Sequence, residues 1–193
     1  MNINGEELEY FDDGHIYLVN GVQVPSITEM MKVRFGHKFD GVPKDVLQKA
    51  SEMGTRLHKA VERYVEHGEE SDLVEMRNFM FLQKHYRFMC ISSEVPVILH
   101  RDDEPIAAGR LDLVIEIDGK YGLADVKRTS VLDKDYLFYQ LNLYRIAYEQ
   151  CYTKKIEFLK GIHLRENTRR FVNIPINEDF AWKIVDQYEE EKR

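Results

Sequence analysis

Residues 109–127, GRLDLVIEIDGKYGLADVK, decide the fold, because they form two alternating runs joined by Asp118-Gly119. Asp-Gly between such runs is a strong signal for a two-residue type I′ hairpin, in which residues at equal distances from the turn pair with each other. The first pair is then Ile117 with Lys120. Counting outward, the expected opposite neighbours on one face are Glu116 and Tyr121, Val114 and Leu123, Asp112 and Asp125, and Arg110 and Lys127.

This register places two like-charged pairs next to each other. Side chains directly opposite on paired strands lie about 5 Å apart, and like charges there destabilise the sheet. Two close carboxylates, Asp112 and Asp125, beside a lysine suit a divalent cation, which would remove their repulsion. An amphipathic hairpin with one solvated face is the commoner origin of alternating charge and needs no metal ion. The hairpin alone leaves both interpretations open.

The composition fits a single globular domain that spans residues 1–193. Of the 193 residues 44% are hydrophobic, which is enough for a sizeable core. No hydrophobic run approaches the roughly 20 residues of a membrane span, and the polar start MNINGEELEY lacks the features of a secretory signal. We therefore expect a cytoplasmic protein without membrane contact. The net charge of −7 argues against broad nonspecific nucleic-acid binding, but not against a local basic strip beside an acidic centre.

Hydrophobic periodicity predicts alternating strands and helices along the chain. An N-terminal hairpin around Asn20-Gly21 leads into a helix capped by Ser26, which makes about 9–35 an extension to a core of about 44–192. We expect Ser71 and Asn177 to cap two later helices. The other predicted helices and strands are helices at 44–66, 72–88 and 134–150, and strands at 91–99, 156–164 and 171–174. In the helix at 72–88 the residues expected to face inward are Val74, Phe79, Leu82 and Tyr86.

A set of polar motifs follows the chain in a fixed order. Its members are Gly54-Thr-Arg-Leu-His58, then Glu94, then Gly109-Arg-Leu-Asp112, Ala124-Asp-Val-Lys127 and Gln140-Leu-Asn-Leu-Tyr144. This order resembles the PD-(D/E)XK nuclease superfamily, in particular its RecB-like nucleases and its phage exonucleases of the lambda type. The ordered set carries the resemblance, because Asp-x-Lys alone occurs by chance in many proteins.

The resemblance implies a metal site. Asp112, Asp125 and the backbone carbonyl of Val126 would bind Mg²⁺ or Mn²⁺, and His58 would add an imidazole ligand that favours manganese. Some relatives carry an iron–sulfur cluster held by four cysteines. No such cluster is expected here, because the chain has only 2 cysteines, which we interpret as buried or incidental thiols.

The resemblance also implies catalytic and substrate-binding roles. Lys127 would orient or polarise the attacking water, and Gln140 would bond near the lysine or the substrate. Glu94 is expected to be an accessory residue. The expected substrate contacts are Tyr144, Arg110 and Arg128, and further candidates for phosphate contacts are Arg56, Lys59 and Arg63.

Several of these residues have an equally simple structural interpretation. A histidine beside an apolar stripe is usually a satisfied residue at the edge of the core, and Glu62 is a suitable partner for His58 one turn away. Gln140 and Tyr144 would then be part of a helix surface. Glu94 would be a strand's solvent-facing residue, and Gly54 would permit close helix packing.

We therefore expect an α/β fold of the restriction-endonuclease-like type, with a central mixed sheet flanked by helices. The expected activity is that of a metal-dependent DNA exonuclease, phage-type or in recombination and repair, which hydrolyses phosphodiester bonds by in-line attack of a metal-activated water. Its partner would be DNA, as the ends of a linear duplex or as single strand. By the same resemblance, further candidate partners are a second copy of this chain, in a homo-oligomer, and a recombination partner protein. The alternatives are a catalytically silent nucleic-acid-binding relative, a structure-specific endonuclease and a hydrolase of a small phosphoester.

Overall fold

The computed structural model describes residues 1–192 and their side chains, that of Phe39 excepted. The strands in this part of the chain are β1 (Asn2–Ile3), β2 (Glu6–Phe11), β3 (Ile16–Val19), β4 (Val22–Val24), β5 (Met89–Arg101), β6 (Glu104–Ile117), β7 (Lys120–Lys127), β8 (Phe158–Arg165) and β9 (Thr168–Ile174). The helices are α1 (Ile27–Met30), α2 (Lys32–Phe35), α3 (Lys44–His67), α4 (Val74–Tyr86), α5 (Lys134–Cys151) and α6 (Glu178–Lys192), with a short 3-10 helix at Gly36–Phe39.

The fold is a mixed α/β fold built on a five-stranded sheet, as the sequence predicts. The strand order is β5-β6-β7-β8-β9, in which β7 and β8 are parallel and the other neighbours are antiparallel. Parallel neighbours need a crossover connection, and α5 supplies it between β7 and β8. The N-terminal extension is larger than the predicted hairpin, because β1 and β2 join β3 and β4 in a separate antiparallel sheet.

Each face of the central sheet is covered by helices. Leu113 and Ile115 of β6 belong to the apolar cluster that contains the buried residues of α3 and α4. Val114, between them, belongs to the cluster that contains those of α5 and α6. This alternation follows from the period of two along a strand, which sends successive side chains to opposite faces. Both sides of β6 are therefore buried.

The central hairpin has the predicted turn. Asp118 and Gly119 both have positive φ, 50° and 79°, as a type I′ turn requires. The predicted register holds from Ile117↔Lys120 to Leu113↔Ala124. The ladder ends there, so the expected ladder pairs beyond it were wrong.

Asp112 explains where the ladder ends. Its Oδ2 accepts a hydrogen bond of 2.7 Å from the backbone N–H of Val126, so a side-chain oxygen stands where a strand carbonyl would be expected. Beyond this point β6 pairs only with β5, through Leu111↔Val95 and Arg110↔Pro96. Arg110 therefore pairs with β5 and not with Lys127.

The prediction for α4 needs a correction at both of its ends. The helix begins at Val74 after Leu73, and the Ser71 hydroxyl makes no helix cap; it accepts only a 3.3 Å bond from the Leu73 amide. Val74 and Tyr86, the first and last residues of the helix, are 41% and 42% exposed, although the ring centre of Tyr86 lies 4.7 Å from that of Phe171 in β9. The inward positions of Phe79 and Leu82 are confirmed, as are the caps at Ser26 and Asn177.

The two cysteines are free thiols, as expected. Cys151 is buried and its Sγ accepts a 3.2 Å hydrogen bond from the backbone N–H of Ile98. Cys90 is half-buried, and burial raises its pKa to about 12. None of the helices in residues 1–192 combines the length and the apolar character of a membrane span.

Backbone contacts join the N-terminal extension to the central sheet. The amide of Ala108 donates to the carbonyl of Pro25 over 3.0 Å, and Ser26 forms a parallel bridge with Ala108. Ala108 directly precedes Gly109 and Arg110 in β6. The extension is thus held beside the strand that carries Asp112.

Gly109 should be sensitive to substitution because it lies against a buried ring. A Cβ at Gly109 would lie 2.9 Å from Cε1 of Tyr144, which is 5% exposed. We expect Gly109→Ala to lower the free energy of unfolding by about 1–3 kcal/mol, measured by denaturant unfolding. Gly54→Ala is the matched control. No described atom lies within 4 Å of a Cβ there, so helix propensity should stabilise that variant by up to about 1 kcal/mol. Equal effects of the two substitutions would contradict this account.

Candidate functional site

Three elements bring His58, Glu94 and Asp112 together. They lie on α3, β5 and β6, and one ligand atom of each lies within 4.8 Å of the others. The Nδ1 atom of His58 is 3.6 Å from Oδ1 of Asp112 and 3.8 Å from Oε1 of Glu94. Imidazole and carboxylate are the ligands that divalent transition metals use in proteins. This cluster is therefore a candidate cation site.

The backbone of Val126 holds two of these side chains. Its N–H donates to Oδ2 of Asp112, and its carbonyl accepts a 2.9 Å hydrogen bond from Nε2 of His58. A metal-ligating histidine commonly donates its second ring N–H to a backbone carbonyl, which fixes the ring. The arrangement leaves Nδ1 facing the carboxylates. The Val126 carbonyl, which the resemblance assigned to the metal, has a second lone pair beside this hydrogen bond.

Glu94 takes its place through an unusual backbone conformation. Its φ is 48°, in the left-handed region, although it lies inside β5 between the ladder residues Ser93 and Val95. Such a conformation costs a non-glycine residue on the order of 1–3 kcal/mol, and it is found mainly where the surrounding structure imposes it. By the register of β5 and β6 Glu94 lies level with Asp112. Glu94 and Asp112 are therefore a facing carboxylate pair on β5 and β6, which the hairpin pattern did not indicate.

Asp125 and Lys127 form an ion pair at the inner end of the site. Nζ of Lys127 donates to Oδ1 of Asp125 over 2.8 Å, and Asp125 is only 2% exposed. The other carboxylate oxygen, Oδ2, lies 2.6 Å from the same nitrogen, so the ammonium is close to both oxygens of the buried carboxylate.

The pKa values of both members of this ion pair are raised. Burial raises the pKa of Asp125 to about 6 while the nearby ammonium opposes the shift, so the group is a carboxylate at neutral pH. Burial lowers the pKa of Lys127, but the carboxylates of Asp125 and Asp112 raise it by more, so its net shift is upward. The 2.8 Å hydrogen bond from Nζ of Lys127 to Oδ1 of Asp125 is typical of an ammonium paired with a carboxylate. Without a bound cation, Lys127 is thus a proton donor and not a base.

His58 is also charged at neutral pH. The Asp112 carboxylate raises the pKa of His58 to about 9; burial opposes this shift and Glu94 adds to it. The polar groups next to its ring in the described structure are the Val126 carbonyl and the carboxylates of Glu94 and Asp112. The alternative in which His58 pairs with Glu62 is therefore not the arrangement observed. With both ring nitrogens protonated, the imidazolium donates to Val126 and balances the two carboxylates.

Gln140 and Tyr144 reach the same cleft from α5. Both are buried, at 4% and 5% exposure, so they are not a helix surface. Oε1 of Gln140 has no hydrogen-bond partner within the described chain, which leaves an acceptor free in the cleft. The ring of Tyr144 packs over Gly109.

The two arginines that the resemblance assigned to the substrate differ in their surroundings. Arg110 lines the cleft; its Nε is 3.4 Å from Oε2 of Glu94, and its guanidinium lies 4.6 Å from the ring centre of Tyr10. Nε of Arg128 instead donates to the buried Glu75 of α4 over 2.6 Å. Arg128 therefore has a structural ion pair, and we assign it no role in the cleft.

One cleft of about 730 Å³ contains most of these side chains. His58, Glu94, Asp112, Lys127 and Gln140 line it. Asp12, His15 and Tyr17 of the N-terminal extension, which the sequence pattern did not indicate, also line it. Gly54 also lines it; the open space around Gly54 shows no close helix packing there.

Comparison with known proteins supports the fold alone. No family model and no curated protein matches the chain. Among solved structures, the crystal structure of SSO0001 is similar with a TM-score of 0.50, over 88% of this chain and 76% of that chain. The identity is 13%, which shows a shared fold and carries no information about activity.

The charge of His58 can be tested by NMR. We expect its ring to titrate with a midpoint near pH 9 in protein without metal, because the Asp112 carboxylate stabilises the imidazolium. Since this pKa exceeds the ordinary 6.5, the imidazolium contributes its full stability below pH 6.5 and loses it as the pH rises through 9.

The variant Asp112→Asn should lower the midpoint of His58 by at least about one pH unit, whereas Glu116→Gln, which removes a charge from the same strand outside the cleft, should not. A midpoint that is unchanged in Asp112→Asn would contradict the assigned cause.

Proposed function

We propose that this chain is a metal-dependent DNA exonuclease. The observation that supports this best is the convergence of two different groups in one cleft. One is the cation-binding set His58, Glu94 and Asp112, and the other is the Lys127–Asp125 pair. A phosphodiester hydrolase needs both, because it must stabilise negative charge and position a water molecule.

The donor set fits a hard or borderline divalent cation. Two carboxylates and one imidazole suit Mn²⁺ or Mg²⁺, and the histidine favours manganese. The ligands would be Nδ1 of His58, Oε1 of Glu94 and Oδ1 of Asp112. Asp125, which the resemblance also assigned to the metal, is buried and paired with Lys127. Such an ion lowers the pKa of a bound water and neutralises charge that develops on the phosphate.

The residues around this set have complementary tasks. The Lys127 ammonium, held by Asp125, is a fixed donor toward a phosphate oxygen or the attacking water. Oε1 of Gln140, which has no hydrogen-bond partner in the described chain, is an acceptor that can orient the protons of that water. Because Lys127 and Asp125 lie on β7 and Gln140 lies on α5, these side chains are held by the packed part of the fold and need little rearrangement when the substrate binds.

A groove beside the cleft offers a path for the DNA backbone. Thr55 and Lys59 line both the cleft and a neighbouring groove of about 620 Å³, which also contains Arg56 and Arg63. Three glutamates line the same groove, so it is close to neutral in charge. We therefore assign phosphate contacts to the individual basic side chains and not to a broad positive field.

The choice of an exonuclease, phage-type or in recombination and repair, rests on the resemblance of the ordered motifs. Strand polarity does not follow from the site, because the ligands fix only where the phosphate lies. A test must therefore separate ends from internal bonds as well as activity from inactivity.

The central prediction concerns metal-dependent cleavage. Purified protein should degrade linear DNA with Mn²⁺ or Mg²⁺ and leave covalently closed circles intact. Asp112→Asn and Glu94→Gln should each reduce this rate by at least about 100-fold, because each removes a charged ligand. Glu116→Gln is the control for loss of one charge and should keep the wild-type rate. Equal cleavage of closed circles would make the protein an endonuclease, and full activity of both cluster variants would exclude this site.

Lys127 should act on turnover rather than on metal affinity. A protonated lysine cannot ligate a cation, so Lys127→Met should bind Mn²⁺ within about threefold of wild type in calorimetry. Cleavage of linear DNA should nevertheless fall by about 100-fold or more, since a positioned proton donor is lost. Wild-type turnover in a folded variant would remove Lys127 from the mechanism.

A further inference from the structure

A second cavity adjoins the candidate active site. It measures about 400 Å³ and shares three lining residues with the cleft: His15, Ser26 and Thr28. Its other walls come mainly from α1, α2 and the start of α5. Its size is within the range of about 300–1,000 Å³ that is typical of small-molecule sites.

The lining combines aromatic rings with hydroxyl groups. Phe35 and Tyr136 form an edge-to-face pair with ring centres 5.3 Å apart, and both line the pocket. The hydroxyls of Ser26 and Thr28 lie 3.0 Å apart on the side that faces the cleft. Aromatic rings with a few hydrogen-bonding groups suit the base and sugar of a nucleoside.

The pocket has fewer charged side chains than the cleft. Lys32 and Glu29 are one cation and one anion among its lining residues, so the pocket favours an uncharged group. The charged groups lie next door, because Nζ of Lys127 is 5.9 Å from the ring centre of Tyr136. A phosphate beside Lys127 would therefore place an attached nucleoside at the pocket.

The wall of the pocket is held in place before any ligand binds. The Ser26 hydroxyl accepts a 2.9 Å hydrogen bond from the amide of Glu29, and the Pro25 carbonyl is bonded to Ala108 of β6. A wall that is already ordered reduces the entropy lost on binding. This observation gives the N-terminal extension a function, which the nuclease proposal leaves open.

We propose that this pocket takes the nucleoside of the terminal nucleotide of a single strand, while its phosphate lies beside Lys127. The inference rests on the proposed function for the position of the phosphate. A base can enter the pocket only when it is unpaired and unstacked, which single strands and frayed ends allow at low energetic cost. The substrate class is therefore an unpaired DNA end, and the products are mononucleotides.

The test is a binding measurement that needs no cleavage. Calorimetry with Mg²⁺ compares thymidine 5′-monophosphate with 2-deoxyribose 5-phosphate, which has the same phosphate but no base. We expect the nucleotide to bind at least about tenfold more tightly to the wild type, since stacking of one base contributes about 1–3 kcal/mol.

Two variants and one control locate the effect. Thr28→Tyr fills the pocket and Tyr136→Leu removes an aromatic face, so each should reduce the tenfold preference to about threefold or less. The control is Thr153→Tyr, the same change of threonine to tyrosine at an exposed position outside the pocket. It should keep the full preference. Thermal unfolding of each variant shows whether it is folded. Equal binding of both ligands to the wild type, or a full preference in both folded pocket variants, would overturn the inference.

The outcome is independent of the nuclease assay. If DNA is cleaved but the base adds no affinity, the pocket inference fails and the proposed function stands. If no DNA is cleaved while the preference and its loss in the variants are observed, the pocket is a nucleotide site in a protein with another activity.

Discussion

The backbone of Val126 is the point on which the arrangement of the site depends. Its N–H is bonded to the carboxylate of Asp112 and its carbonyl to the ring of His58. The first bond ends the ladder between β6 and β7 and leaves Asp112 level with Glu94 across β5 and β6. The second fixes which nitrogen of His58 faces these carboxylates. The backbone of one residue in the middle of the sheet thus orients side chains from two other elements.

The charges in the cleft balance without a bound cation. Glu94, Asp112 and Asp125 carry the negative charges. The positive charges are the guanidinium of Arg110, the ammonium of Lys127 and the imidazolium of His58, whose raised pKa keeps it protonated at neutral pH. Buried charges are tolerated only when they are paired in this way. A divalent ion at the cluster would displace the proton of His58, so we expect cation affinity to increase with pH up to about 9.

The sequence predicted the parts of the fold that depend on local signals. Asp118-Gly119 predicted the turn and the first five pairs of the hairpin, and hydrophobic periodicity predicted a helix at 44–66, close to the observed α3. The ladder beyond Leu113 could not be predicted, because a side chain of β6 competes there with backbone pairing. The caps of α1 and α6 depend on local signals, and their prediction was correct. The predicted cap of α4 at Ser71 was wrong, because the helix begins at Val74 and Ser71 lies too far from its first turn.

The site could be predicted in its members but not in its geometry. The ordered motifs named His58, Asp112, Lys127 and Gln140, which the fold brings to one cleft. They could not show that Glu94 is an integral member of the cluster, because its left-handed conformation is imposed by the strands around it. They also gave no sign that Arg128 pairs with Glu75 or that the N-terminal extension forms a wall of the cleft. Both depend on contacts between distant parts of the chain.

The position of a bound metal ion tests the central claim most directly. Crystals of the protein with manganese, measured for anomalous scattering, should show a peak within about 2.0–2.3 Å of Nδ1 of His58 and of oxygens of Glu94 and Asp112. The hydrogen bond from Nε2 of His58 to Val126 should persist in that structure. A peak that avoids His58 and Glu94, or the absence of any peak in the cleft at saturating manganese, would contradict the account.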